Sequence, residues 1–208
     1  MTASARKRIF QPAFGFFRYL KPAVAVAVLV FGLGACSTYE YLSDKISDPI
    51  VLKCPNYWVV ADAANVVKFR DGPGRDLTDV NYEGKIVGVR LGCVSSIDKK
   101  TRAGTMEVDV TVRFNAQRGP ANRDRKASFD YFIRVLDPNK NILKGENLSV
   151  VINFPGNKTR LQFQSPPLTF EFPITSQWPN TYYRIFAGFK LTRDELDSNR
   201  RRARNANP

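Results

Sequence analysis

Residues 106 to 114 alternate strictly between apolar and polar side chains. The apolar positions are Met106, Val108, Val110, Val112 and Phe114. The residues between them are Glu107, Asp109, Thr111 and Arg113. A period of two residues is typical of a β-strand that buries one face and exposes the other. This segment therefore predicts a sheet whose inner face lies on a hydrophobic core.

The same period recurs along the chain, and turn residues separate the repeats. Apolar positions alternate in residues 127–136 and 181–190, and further strands are predicted near residues 147–154, 159–164 and 168–174. The segments 98–104 and 137–141 have the composition of turns. No long helical period interrupts the pattern. The sequence therefore predicts a mainly β fold, an antiparallel β-sandwich of the immunoglobulin-like or fibronectin-III-like kind.

The predicted sandwich domain covers residues 54–198, and a short helix and a basic tail close the chain. Thr192 and Glu195 have the spacing of a capping box, which predicts the start of a short C-terminal helix. Residues 199–208 show no apolar periodicity, so we expect a disordered basic tail there. Its basic residues are Arg200, Arg201, Arg202 and Arg204.

The first 35 residues are predicted to be an export signal rather than part of the fold. Basic residues open the segment, no acidic residue occurs before Glu40, and residues 23–33 form an uncharged apolar run. That run is too short to span a bilayer, since a spanning helix needs about 17–25 residues. Its charge, its length and the small residues after it match a secretory signal peptide. Residues 36–53 then form a polar tether before the domain.

The apolar run ends in Leu33, Gly34, Ala35 and Cys36, which together resemble the lipobox of bacterial lipoproteins. In that family, the thiol of the cysteine takes a diacylglycerol, and cleavage leaves the cysteine as the first residue. The resemblance implies that Cys36 carries the lipid and that two or more acyl chains hold the protein stably on a membrane. Ser37, in place of an aspartate, implies the outer membrane with the domain facing the periplasm. The alternatives are an ordinary signal peptide with a chance cysteine and an uncut signal anchor.

Composition excludes several catalytic classes. The chain has no histidine, which rules out Ser-His-Asp and Cys-His triads and HExxH metalloproteases. Three cysteines are too few for an all-cysteine zinc site, and we expect neither a metal nor a cofactor. The formal charge is +13, but nine of the 32 basic residues lie in the predicted signal peptide or among the C-terminal arginines. Without those nine the charge is only +4, so we expect no nucleic-acid partner.

Cys54 and Cys93 remain as a pair once Cys36 is lipidated. An exported protein meets an oxidising compartment, so a disulfide is the expected state, with two free buried thiols as the alternative. Each cysteine shares its parity with apolar neighbours, which predicts that the bridge is buried. These neighbours are Trp58 and Val60 in one segment and Val87, Val89 and Leu91 in the other.

Three segments also resemble a family of proteobacterial envelope lipoproteins. They are residues 61–64, residues 68–80 together with Cys93, and residues 187–200. The resemblance covers most of residues 54–200. It implies an envelope lipoprotein and brings no catalytic residue with it.

A glycine-rich loop is the most distinctive candidate site, with Arg70, Gly72, Gly74, Arg75 and Asp76. Glycines that let backbone amides approach an anion, with two arginines beside them, predict a binding loop. The alternative is a tight connection whose glycines supply positive φ angles. A further alternative is a calcium site, although the spacing of an EF-hand is missing. Its ligands would be Asp62, Asp71, Asp76 and Asp79.

These observations predict a non-catalytic, lipid-anchored envelope protein that uses its sandwich to bind a protein partner or an assembly. The first alternative is a binder of an anionic envelope polymer, such as lipopolysaccharide or peptidoglycan, through the basic tail. The second is a hydrolase that uses two close carboxylates.

Overall fold

The computed structural model describes residues 50–206. In this range the chain forms nine strands, three short 3₁₀ turns and one helix, α1 (Arg193–Ala206). The strands are β1 (Asn56–Val59), β2 (Asn65–Phe69), β3 (Val80–Ile97), β4 (Gly104–Arg118), β5 (Lys126–Leu136), β6 (Ile142–Asn153), β7 (Arg160–Gln164), β8 (Leu168–Ile174) and β9 (Arg184–Phe189). The predicted signal peptide, Cys36 and the tether up to residue 49 lie outside the described residues. Within the described range, no helix has the length and apolar character needed to cross a bilayer.

The strands form two sheets. One sheet has the order β1-β9-β5-β6, and the other has the order β2-β3-β4-β7, with β8 also paired to β4. Paired strands are antiparallel except for β1 and β9, which run parallel. The architecture confirms the predicted mainly β sandwich with a short C-terminal helix. The parallel pair of first and last strands was not predicted, because alternation within a strand does not identify its partner.

The core fills the space between the two inner faces. Met106, Val108 and Val110 on β4 are fully buried, so the alternation correctly identified the inner face of this strand. The ring of Phe114 on β4 packs edge-on against Tyr131 on β5, with centroids 5.2 Å apart. Contacts of this kind join the two sheets into one core.

A β-bulge at Val87 corrects the predicted pattern of β3. The register between β3 and β4 shifts between Ile86 and Gly88. As a result Ile86 and Val89 are both buried, while Val87 is 42% exposed. The alternating pattern of the sequence had placed Val87 on the same face as Val89. The bulge inserts one residue into β3, so residues before it have the opposite parity from residues after it.

The predicted disulfide between Cys54 and Cys93 is present, with Cα atoms 5.7 Å apart. Both half-cystines are partly exposed, so the expectation of a buried bridge is wrong. The reason is that Cys54 precedes the edge strand β1, where Trp58 is also 43% exposed. The bridge therefore ties the entry segment of the domain to β3 of the opposite sheet.

The folded part begins earlier than residue 54. The Ser95 hydroxyl donates a hydrogen bond of 2.9 Å to the backbone oxygen of Ile50. The Asn180 carboxamide donates one of 2.9 Å to the backbone oxygen of Lys53. Residues 50–53, predicted as the last part of the tether, are therefore held against the domain.

Helix α1 begins at the predicted capping box. The backbone N–H of Thr192 donates to Glu195 Oε2 at 2.8 Å, and the N–H of Glu195 donates to Thr192 Oγ1 at 3.3 Å. The helix continues to Ala206, so the expectation of disorder from residue 199 is wrong for residues 199–206. This segment has no apolar face, and its order depends on polar contacts with residues 62–68 that the sequence pattern does not reveal.

Candidate functional site

A groove of about 880 Å³ lies on the outer face of the five-stranded sheet, with helix α1 as one wall. Its floor is formed by β2, β3, β4 and β7, whose registers align at this point. The volume falls within the range of roughly 300–1,000 Å³ that is usual for ligand sites. We therefore treat this groove as the candidate binding site.

Two rows of outward-facing side chains cross the floor of the groove. The first row is Asn65, Lys85, Asn115 and Gln162, and the second is Val67, Glu83, Gln117 and Arg160. Neighbours in a row stand on adjacent strands, about 4.8 Å apart. The paired residues that lie between these two rows point into the core and hold the floor in place.

Carboxamides are the commonest polar groups on this floor. The Gln117 side-chain oxygen accepts a hydrogen bond of 3.1 Å from Arg160 Nε. The Oδ1 atom of Asn115 is shielded from solvent and accepts no hydrogen bond from the described residues. An unpaired shielded acceptor costs about 1–3 kcal/mol. A ligand N–H or O–H would meet this oxygen only after the Asn115 side chain rotates toward the groove.

Positive charge exceeds negative charge along the groove. The basic side chains that line it are Lys85, Arg160 and Arg202, and the acidic ones are Asp62 and Glu83. Basic groups at the wall and on the floor favour a ligand that carries carboxylate or other anionic groups in addition to neutral polar groups.

Helix α1 is held against the groove by side-chain contacts to β2 and to Asp62, which precedes this strand. Lys68 Nζ lies 2.7 Å from Glu195 Oε1. The carboxamide nitrogen of Asn199 donates to two backbone oxygens, those of Asp62 at 2.9 Å and Asn65 at 2.7 Å. The wall of the groove is therefore bonded to its floor.

The four C-terminal arginines, predicted to lie in a disordered tail, take different positions on the helix. Arg200 Nε pairs with Asp62 Oδ2 at 3.0 Å, and Arg202 lines the groove. Arg201 and Arg204 are exposed. Only part of the arginine cluster is therefore free to meet a partner from solution.

The predicted binding loop is closed by its own arginines. The Arg75 guanidinium donates to the backbone oxygens of Gly72 at 2.8 Å and Gly74 at 2.7 Å. It also lies over the Phe69 ring, 5.4 Å from the centroid. These contacts point the guanidinium inward, toward the loop itself.

The other loop residues have local roles as well. Arg70 pairs with the buried carboxylate of Asp79 at 2.5 Å, and Asp76 caps the following 3₁₀ turn. Gly72 has a φ angle of +118°, and a Cβ at Gly74 would collide with the Asp79 carboxylate. A tight connection accounts for all five predicted residues, and none of them lines the groove.

The four aspartates considered for calcium do not come together. Asp76 and Asp79 share the capping box after the loop, whereas Asp62 lies at the opposite end of β2, beside helix α1. In the described part of the chain, no group of three or more His, Cys, Asp or Glu residues is placed to hold a metal ion.

Sequence reasoning did not find the groove, because its lining residues come from six separate segments of the chain. One local signal was available. Asn115 and Gln117 extend the alternation of β4 with carboxamides at outward positions, where a solvated strand face more often carries charged residues.

Comparisons with known proteins add little. No protein-family model matches the chain, and no curated protein matches it. Among solved structures, a match is found to the variable (V) domain of the AgI/II polypeptide BspA from Streptococcus agalactiae. It has 13% identity, covers 62% of this chain and 73% of that chain, and has a TM-score of 0.16. A TM-score this low carries no argument about the fold or the function.

Proposed function

We propose that this chain is a lipid-anchored, non-catalytic lipoprotein of the bacterial cell envelope, and that its sandwich binds a protein partner or assembly. The lipobox-like residues 33–36 support an anchor at Cys36, and Ser37 supports the outer membrane. The disulfide between Cys54 and Cys93 supports export, since structural disulfides persist in oxidising compartments. On this proposal the domain faces the periplasm.

The groove beside helix α1 is the proposed partner site. The observation that carries this assignment is the set of carboxamides on its floor, which are those of Asn65, Asn115, Gln117 and Gln162. Each carboxamide offers both donors and an acceptor, which are the two functions that a peptide backbone requires. The carboxamides stand on adjacent strands of one sheet, so their spacing is set before a partner arrives.

Site-specific photo-crosslinking in cells tests this assignment. With a photoreactive residue in place of Val67, which lines the groove and carries no carboxamide, we expect a defined protein adduct that survives a high-salt wash. The variant N115A/Q162A should abolish the adduct, because it removes floor carboxamides. The control Gln177→Ala changes an exposed glutamine after β8 and should leave the adduct intact. An adduct that persists in the double variant would show that the partner binds elsewhere.

Binding of an anionic envelope polymer is the second candidate function. The observation that favours it is the basic side of the groove, with Lys85, Arg160 and Arg202. Such binding would be screened by salt, whereas a protein partner held by the floor carboxamides would be retained. Release of the bound material by salt, without a protein adduct, would favour the polymer.

A further inference from the structure

We propose that one end of the sandwich docks on the surface of an anionic phospholipid bilayer, an inference that rests on the proposed lipid anchor. This tether-end surface combines exposed apolar and exposed basic side chains. The apolar residues are Val51, Ile142, Leu143 and Trp178, and the basic residues are Lys53, Lys99, Lys100, Arg102 and Lys140.

The register of the four-stranded sheet brings part of this surface together. Arg184 pairs with both Asn56 and Leu136, and Leu136 also pairs with Ile142. The starts of β1, β9 and β6 and the end of β5 therefore lie at the same end of the sheet. The entry segment 50–55 and the turn 137–141 lie at that end.

The five-stranded sheet contributes the rest at the same end. Gly104 pairs with both Ile97 and Ile174, so the turn 98–103 and the loop after β8 are adjacent. The hydroxyl of Tyr183 donates to the backbone oxygen of Pro173 at 2.6 Å. This bond joins the segment before β9 to β8 of the opposite sheet, and the loops of both sheets therefore form one surface.

Large apolar side chains project into solvent from these loops and from the start of β6. Val51 is 84% exposed, Ile142 is 65% exposed and Trp178 is 41% exposed. Tryptophan favours the interface between a membrane and water. Side chains on the tips of separate loops can enter the headgroup region of a bilayer without a matching pocket.

Basic residues surround the apolar tips. None of the five basic side chains of this surface forms an ion pair with the described residues. The acidic residues in the turns are Asp98 and Asp137, and both accept hydrogen bonds from their own turns. The excess of positive charge complements the headgroups of anionic lipids.

The chain enters the domain within the same surface, because Ile50 and Lys53 are held there by hydrogen bonds. From Cys36 to Ile50 the chain reaches at most about 50 Å, even when fully extended. An anchor at Cys36 would keep the surface at a high effective concentration near the bilayer. Under that condition, contacts that are weak individually are sufficient for docking.

Tryptophan quenching in vesicles tests the proposal with the mature, membrane-extracted protein. The chain has two tryptophans, so Trp58→Phe leaves Trp178 as the sole reporter. In vesicles of phosphatidylethanolamine and phosphatidylglycerol with brominated acyl chains, we expect quenched and blue-shifted emission from Trp178. The matched variant Trp178→Phe reports on Trp58, on the side of the sandwich, and should be quenched less.

Reversing the charge of two lysines is the second test of the docking surface. In the Trp58→Phe background, K99E/K100E should lower the ratio of docked to undocked protein by at least about tenfold. The control R123E/K158E reverses two exposed basic residues at the opposite end of the sandwich and should leave quenching unchanged.

The outcomes separate this inference from the proposed function. Lipidated, vesicle-bound protein with unquenched Trp178 would overturn the docking surface and leave the anchor intact. Trp178 that is shielded from a soluble quencher in native membranes, but not quenched by lipid, would also overturn it and would indicate a protein on this surface. Protein without lipid on Cys36 would overturn the anchor and the inference together.

Discussion

The carboxamide nitrogen of Asn199 lies 2.7 Å from the backbone oxygen of Asn65, so helix α1 is bonded directly to the edge strand β2. An edge strand presents unpaired backbone groups that invite association with other chains. The helix covers part of this edge and at the same time forms the wall of the groove. A residue of the expected basic tail is thus part of the candidate site.

Substitution of Asn199 by alanine should loosen helix α1. The change removes two hydrogen bonds to the backbone oxygens of Asp62 and Asn65, and each is worth about 1 kcal/mol. We expect faster amide hydrogen exchange across residues 193–206 and little change in the core strands. Arg201→Ala serves as the control, because Arg201 is exposed and lies two residues further along the helix. Unchanged exchange in the helix would show that other contacts hold it.

Loss of the disulfide should destabilise the whole domain. Cys54 and Cys93 are 39 residues apart, and closing a loop of that size contributes about 4 kcal/mol in the chain-entropy model. Chemical denaturation with and without reductant should show a loss of a few kcal/mol. The variant C54S/C93S should be less stable and insensitive to reductant. Equal stability of the oxidised and reduced protein would contradict this expectation.

Gly74→Ala should disturb the loop before β3. A Cβ at this position would collide with the Asp79 carboxylate, which pairs with Arg70. The Asp79 carboxylate is buried while the Arg70 side chain is largely exposed, so displacing the carboxylate disrupts its capping box and its pairing with Arg70. The denaturation midpoint should therefore fall measurably. Gly92→Ala is the control, because its nearest neighbour would be at an ordinary contact distance of 3.8 Å. Similar midpoints for the two variants would mean that Asp79 moves aside without cost.

Acidification should weaken the turns that contain hydrogen-bonded aspartates. Hydrogen bonds from the Asn141 side chain lower the pKa of Asp137, and the Thr101 backbone N–H lowers the pKa of Asp98. A carboxyl group whose pKa is lower in the folded state stabilises the fold above its unfolded pKa of about 3.9. That contribution is lost as the pH falls through the lower folded pKa.

One variant tests whether Asp137 contributes to the loss of stability at low pH. Asp137→Asn should be less stable than the parent protein at neutral pH, and the difference should shrink below about pH 4 as Asp137 protonates. Denaturant titrations from neutral pH to about pH 2.5 measure both proteins. A constant difference across this range would show that Asp137 does not contribute through its charge.

Much of the fold could be predicted from patterns within short stretches of the sequence. The alternation from Met106 to Phe114 identified the inner face of β4, and the composition of residues 98–104 identified the turn before it. Thr192 and Glu195 correctly marked the start of the helix. These features succeed because each depends on residues that are close together in the sequence.

The features that the sequence did not predict have a common physical cause. Each depends on contacts between residues that are far apart in the chain. Val87 lies in a bulge that is defined only by the pairing of β3 with β4. The helix persists past Asn199 because of backbone oxygens more than 130 residues earlier in the chain. The groove likewise requires four strands in register, and no single segment carries its pattern.

Mass spectrometry of the N-terminal peptide of the membrane-bound protein is the most direct test of the lipid anchor proposed at Cys36. We expect a mature chain that begins at Cys36, with a diacylglycerol on its sulfur atom. We also expect Cys36→Ala to leave the protein uncut or to release it from the membrane fraction. An unmodified Cys36, or a mature N-terminus at another residue, would show that Cys36 is not the anchor.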